Sequence, residues 1–214
     1  MHPRPIPVAP RVPLLADRRG NTIPDGSWPP GREAPAGLEL LRRFVNTENP
    51  ESGADLLATA TELRGWLRTE GRGSWRVAAA DLAAVHELRK GLRAMAVANA
   101  GAIADESAVR SLTRLGATRP MRLLFGGRSS GGLEQHAAME PAGSGVDGFI
   151  ASMLGTVFVA MADGTWGRLK ACGNSHCRWV VYDHTKNRSV AWCAEEACGS
   201  RSRARAYRAR RVGR

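Results

Sequence analysis

The four cysteines of this chain, Cys172, Cys177, Cys193 and Cys198, fall within 27 of its 214 residues, near the C-terminus. They form two matched C-x4-C pairs with 15 residues between them, and an arginine-dense stretch follows at once. Four thiolates in two pairs are the donor set of a closed tetrahedral site for one structural Zn2+, because zinc has no d-electron geometry preference and binds soft sulfur tightly. Two disulfides or a thiol redox switch are the alternatives. His176 is a further donor beside Cys177, but four thiolates make it unnecessary. A closed site has no open coordination position, so Glu195 and Glu196, between two of the thiols, do not read as catalytic carboxylates.

The charge is as unevenly placed as the sulfur. Residues 168–214 hold 12 Lys/Arg against 3 Asp/Glu, a local balance of +9 within a chain of net charge +11. The first 167 residues are therefore close to neutral, and the basic end implies a polyanionic partner, most simply nucleic acid. With only three lysines the chain favours arginine throughout. A general preference for arginine does not explain why the charge collects at one end. The N-terminus has no apolar core of a signal peptide, and the longest apolar run, Phe149 to Ala162, is short of a bilayer span. These features predict a cytoplasmic protein without a membrane segment, in a setting that keeps thiols reduced.

Nine of the 12 prolines lie between Pro3 and Pro35. Residues 1–36 therefore read as an extended or disordered arm that sustains neither helix nor paired strand. Residues 37–165 read as a helical domain. Its periodicity begins at Leu38, and a helix over 54–69 places Leu56, Leu57, Leu63, Trp66 and Leu67 on one stripe. The next runs over 79–99 with Leu82, Val85, Leu88, Leu92 and Met95 inward, and another starts at Asp105 as N-cap. The clearest pattern, Val146, Phe149, Ile150, Met153, Leu154, Val157, Phe158 and Met161, predicts the central core helix. Two strands, 121–125 and 133–139, are joined by a glycine-rich turn. That turn contains Gly127-Arg-Ser129-Ser-Gly131, which has the form of a hydrolase nucleophile elbow. A turn between two strands is not the strand-to-helix elbow such chemistry needs. His86 and His136 have no partner at ligand or catalytic spacing. Trp66, Phe149 and Phe158 read as core, and no set of residues reads as an enzyme site.

In residues 168–214 the first cysteine pair predicts a knuckle. Trp179–Tyr182 form a strand, 184–188 turn, and a return strand delivers Trp192 and Cys193. Cys198 opens a final helix with Ser200 as its cap. Knuckle, hairpin and ligand-bearing helix make a treble-clef-like finger, whose small core would leave most of its folding free energy to the metal. The fold class is thus mainly α with a small β-hairpin (α+β), ending in a four-cysteine zinc finger and a basic helix. On that helix Arg201, Arg205 and Arg208 share one face, with Arg203 and Arg210 nearly opposite. Arginine's fork suits phosphate oxygens and guanine edges. Six phosphate contacts would weaken binding about a thousandfold between roughly 50 and 200 mM salt.

The run Cys177-Arg-Trp-x-x-Tyr-Asp183, the pair Trp192-Cys193, and Cys198-Gly199-Ser200-Arg201 leading into an arginine-rich helix resemble the CGNR zinc-finger proteins of bacteria, proposed transcriptional regulators. Ser200 stands where that family's motif has Asn. Phe44-Val45-Asn46-Thr47 and Asp55-Leu56-Leu57 are similar to the helical ABATE-type domain those proteins carry, with Arg43 where an acid is usual. The resemblance implies DNA as partner and a sensing or assembly role for the N-terminal domain, homo-oligomers included, with no effector named. Candidate nucleic-acid contacts are Arg178, Arg201, Arg203, Arg205, Arg208, Arg210 and Arg211, with Trp179 and Trp192 packing the finger. A zinc-stabilised protein- or RNA-interaction module, with or without thiol redox sensing, is the competing expectation.

Overall fold

In the computed structural model, which describes residues 15–16, 22–23, 31–73, 75–129 and 132–212, the apolar stripe from Leu82 to Met95 becomes α3 (Ala79–Asn99). This 21-residue helix packs on α1 (Ala36–Val45), α4 (Glu106–Ala117) and α5 (Gly145–Ala162). Asp105 caps α4 as expected, its carboxylate accepting from the Ala108 N–H at 3.1 Å. Phe44, Trp66 and Phe149 meet in the core with ring centroids 5.6–6.0 Å apart, inside the range of favourable edge-to-face packing.

The fold is α+β, as expected, and several elements differ in detail. The helix expected over 54–69 is α2, Ala60–Thr69. Thr59 and Glu62 form a reciprocal capping box that starts it there. Upstream, Ala54–Asp55 (β4) pairs instead with Glu48–Asn49 (β3). Leu57 still reaches the core, carried by the turn after β4. The hairpin is longer than expected: β5 (Met121–Ser129) pairs with β6 (Gly132–Pro141). The G-x-S-x-G match therefore sits at a strand-to-strand turn, and Ser130 and Gly131 lie outside the described residues. His136 is in β6, with its side chain outside them as well.

α5 does hold the core, through Val146, Phe149, Ile150, Met153 and Val157. Phe158 and Met161 were expected in that stripe but are 65% and 48% exposed. The buried arc of α5 drifts away from them over its last turns. The helix begins at Gly145, next to the first residue of its stripe and four residues ahead of the apolar run at Phe149, which gives it 18 residues and the length and composition of a membrane span. Half of it is nevertheless buried against the other helices. In the N-terminal arm, Leu15–Ala16 (β1) pairs with Thr22–Ile23 (β2), against the expectation of no paired strand. The rest of residues 1–30 lies outside the described set. From Gly31 the chain is laid on the body: Arg32 accepts from the Tyr182 N–H at 3.1 Å and Ala34 is buried.

The finger hairpin also departs from expectation. Val180–Tyr182 (β8) pairs with Leu169–Ala171 (β7), which precedes the first cysteine, and no return strand forms at 189–193. The pleat of β8 then faces two ways. Val180 and Tyr182 join the helical core together with Leu169 and Ala171, whereas Trp179 and Val181 pack around the cysteines. One strand is thus shared by two clusters, the period-2 alternation of a strand buried on both faces.

Candidate metal centre and basic helix

The knuckle closes because β7 and β8 hold its two ends together. Cys172 N–H donates to the Trp179 carbonyl at 2.8 Å, which continues the ladder into the loop. Within it, the Cys177 and Arg178 N–H groups both donate to the Asn174 carbonyl, at 2.9 and 3.1 Å. Arg178 takes a left-handed backbone (φ 50°) to leave the knuckle. The second pair arrives on an irregular stretch that Gly173 N–H ties down through the Ala191 carbonyl, at 2.8 Å. A Cβ on Gly173 would come within 3.0 Å of that oxygen and of the Trp192 ring, so the approach uses the missing side chain. Cys198 sits in a wide turn, Glu195–Gly199, that leads directly into α6 (Ser200–Val212). Ser200 is already helical, and its hydroxyl donates back to the Glu195 carbonyl at 3.2 Å. It therefore does not cap α6 as expected.

The four sulfurs are buried, unbridged, and all within 4.8 Å of one another. Cys177 and Cys193 Sγ are 3.7 Å apart. A tetrahedron with Zn–S bonds of about 2.3 Å spaces its sulfurs by about 3.8 Å, whereas a disulfide needs about 2.05 Å. The donor set therefore fits zinc. Mutual hydrogen bonding pushes the Cys177 and Cys193 thiols up, Cys172 being the main partner of each. Hydrogen bonds from Cys172, Cys177 and Cys193, with Asn174 behind them, hold Cys198 down. Sulfurs this close do not all ionise on their own. Zn2+ bound there would supply the dication that lets the four carry charge together.

Around the sulfurs stand groups suited to that charge. Asn174 Nδ2 lies 3.6 Å from Cys198 Sγ, and Arg201 Nη2 lies 3.2 Å from it. Arg201 also grips the Glu51 carboxylate, at 2.6 and 3.3 Å. Burial pulls Arg93 down to about 10, against the pull of Glu48 and, more weakly, of Cys177. His176 is exposed and outside the sulfur cluster.

The arginines proposed from sequence separate into two groups. Arg201 is committed to Glu51 and Cys198, and Arg203 is paired with Glu195. Arg205 donates to Asn174 Oδ1 at 2.8 Å. Arg205, Arg208, Arg210 and Arg211 have no carboxylate partner among the described residues, and Arg211 lies over the Tyr207 ring at 5.8 Å. Residues 203–211 are exposed throughout. Arg178 is half-buried at the knuckle, away from that exposed run. Trp179 is buried against the cysteines with Trp192 beside it, as expected.

Two residues carry more structure than the sequence suggested. Asp183 is fully buried and accepts from Lys170 Nζ (2.9 Å), Thr185 N–H (2.9 Å), Thr185 Oγ1 (2.6 Å) and Val190 N–H (2.9 Å). Lys170 Nζ also donates to the Arg188 carbonyl. Burial pushes the Asp183 carboxyl up, but Thr185, Lys170 and Val190 outweigh it and hold the group well below the usual carboxylate range.

Asn46, buried at the end of α1, has Nδ2 on the Val180 carbonyl (2.7 Å) and Oδ1 on the Val180 N–H (2.8 Å). Its amide thus pairs with β8 as a neighbouring strand would. The rest of Phe44-Val45-Asn46-Thr47 is equally occupied. Phe44 is core, the Val45 carbonyl accepts from Arg93 at 2.5 Å, and Thr47 Oγ1 accepts from Arg89 at 3.1 Å. Arg89 forks onto Asp55 at 2.5 and 2.6 Å. Asn46→Ala would leave both Val180 groups buried and unpaired, at a cost of about 2–4 kcal/mol. Urea unfolding of the zinc-loaded protein measures this; a change below about 0.5 kcal/mol would remove the amide from the fold's essential contacts.

Two family models match the chain. Residues 168–211 match the CGNR zinc finger, covering all four cysteines and most of α6. Residues 38–163 match ABATE, described as a Putative stress-induced transcription regulator. No curated protein matches the sequence. The second match spans more than half of the 214 residues, and the sulfur geometry agrees with the first. The chain accordingly belongs to the ABATE family and carries a CGNR zinc finger behind the ABATE domain.

Proposed function

We propose that this protein is a bacterial, cytoplasmic transcription regulator that binds DNA through α6, with one structural Zn2+ fixing the helix to the body. The observation that carries the reading is the exposed run of Arg205, Arg208, Arg210 and Arg211 on a helix whose root holds a zinc ligand. No described carboxylate neutralises these four. In this reading the protein is not an enzyme, and residues 37–165 sense an effector or mediate assembly. Burial of all four sulfurs favours structural zinc over a redox switch, since reactive thiols stand partly exposed.

The test is retention of random-sequence duplexes by zinc-loaded protein at near-physiological salt, followed by sequencing. An enriched motif is the expected result, and no retention would overturn the reading. Four arginines without a described carboxylate partner, not six, predict a plot of log K against log salt with a slope of about −3.6. Affinity should therefore fall about a hundredfold between roughly 50 and 200 mM salt, which a fluorescence-anisotropy titration measures.

A further inference from the structure

One arginine face of α6 borders a cleft against the helical body. Arg201, Arg205 and Arg208 lie at i, i+4 and i+7, and all three line a cleft of about 480 Å3 between α6 and the turn joining β3 to β4. Pro50 and Glu51 form the far wall, and His176 of the knuckle closes the set. Ala204, between the arginines, keeps that wall shallow. The cleft therefore draws on the ABATE domain, the knuckle and the basic helix together.

Its charge is positive despite Glu51. That carboxylate is its one acidic residue among the described residues, and Arg201 holds both of its oxygens. Arg201 is also fixed to Cys198 Sγ, so it stays on the wall and does not swing out to a ligand. Arg205 is oriented by Asn174 through one amino group, which leaves its other N–H groups to donate. Arg208 makes only a 3.3 Å contact with the Ala204 carbonyl one turn back. Two guanidinium groups and an imidazole thus border one open space with no unpaired carboxylate to answer them. A tetrahedral oxyanion is the ligand that such donors suit.

We infer that this cleft is a seat for a backbone phosphodiester of duplex DNA, with Arg205, Arg208 and His176 as donors and the β3–β4 turn of the ABATE domain as its far wall. The inference rests on the DNA-binding reading above and adds to it that the N-terminal domain forms part of the contact surface. A phosphate held there fixes the register of α6 on the duplex, as backbone contacts do in general, while Arg210 and Arg211 on the outer faces remain for the groove.

The test uses full-length, zinc-loaded protein and a duplex retained by the wild type, with zinc content and circular dichroism confirming the fold of each variant. Pro50 is exposed, distant in sequence from the finger, and makes no proposed contact of its own. Pro50→Glu should weaken binding about tenfold and Pro50→Lys should strengthen it, by changing the charge at the cleft wall. Arg208→Gln should reduce the magnitude of the salt slope by about 1, and His176→Gln should weaken binding severalfold. If the Pro50 and His176 variants bind like the wild type while Arg210→Gln weakens binding, the seat is overturned and the DNA reading stands. If the wild type retains no duplex, both fall together.

Discussion

Cys193→Ser protein is expected to lose its zinc and, with it, the order of the knuckle, of the stretch carrying Cys193 and of α6, while the helical body stays folded. The asymmetry follows from how the finger is built. β7 and β8 place Leu169, Ala171, Val180 and Tyr182 in the main core, so half of the finger's scaffold does not depend on metal. The knuckle, the stretch that carries Cys193, and α6 have no such support. α6 is a 13-residue helix with six arginines, and helices of this length are marginal alone even without like-charge repulsion. It is held by Cys198 at its root, with the partly exposed Arg201–Glu51 pair and the Arg205–Asn174 hydrogen bond as lesser ties. Metal binding contributes about 10–16 kcal/mol in the smallest zinc domains, and that is the order of what this half loses.

Three readouts define the outcome. Zinc content should fall from one equivalent to near zero. Far-ultraviolet circular dichroism should lose roughly the contribution of α6 and no more. Limited trypsin digestion should cleave at Arg201–Arg211 within the time the wild type resists. A strong chelator added to the wild type should reproduce all three. Retention of zinc by Cys193→Ser would remove Cys193 from the ligand set, and complete unfolding of the chain would show that the body depends on the metal as well.

Asp183→Asn should be the most damaging substitution that touches neither a cysteine nor the apolar core. The amide keeps the volume, loses the charge that balances Lys170, and presents two N–H donors where four donors already point. Breaking a buried pair by removing one partner costs about 3–5 kcal/mol. The damage falls between β8 and Cys193, so weaker zinc affinity should accompany the lower stability. The pH dependence has a definite sign. The folded-state carboxyl lies below its ordinary value of 3.8, so its contribution is complete above about pH 4 and is lost as the pH falls through the folded value. The stability gap between wild type and Asp183→Asn should therefore be constant from pH 7 to 5 and narrow below about pH 4. A gap under about 1 kcal/mol at pH 7 would mean that Thr185 and Val190 find other partners.

The elements read most accurately from sequence were those governed by local periodicity and capping. α3 occupies the expected range 79–99 around its stripe, Asp105 caps α4, and the paired cysteines come together as their spacing requires. The misreadings arose where tertiary pairing decides. Ala54 and Asp55 fit a helical repeat, but Arg89 and the partner strand draw them into β4. β8 was expected to pair forward with the chain after the turn. It pairs backward with Leu169–Ala171, because Val180 and Tyr182 find an apolar partner only in the helical core. Arg201 looked equivalent to Arg205 and Arg208, since nothing local reveals that Glu51, 150 residues earlier, lies opposite it. Asp183 and Asn46 were visible only as motif letters, because a hub of long-range hydrogen bonds has no periodicity to announce it.

The sharing of β8 between two clusters bears on how such a chain can be rearranged. Residues 164–167, between the two family matches, look like a natural seam for cutting or grafting. A finger severed there would carry Leu169, Ala171, Val180 and Tyr182 into water as an uncovered apolar face. The helical body left behind would have an open slot, with the Asn46 amide facing nothing. Neither piece is a transplantable cassette, and a new C-terminal end for this body is obtained by rewriting α6 on its existing root.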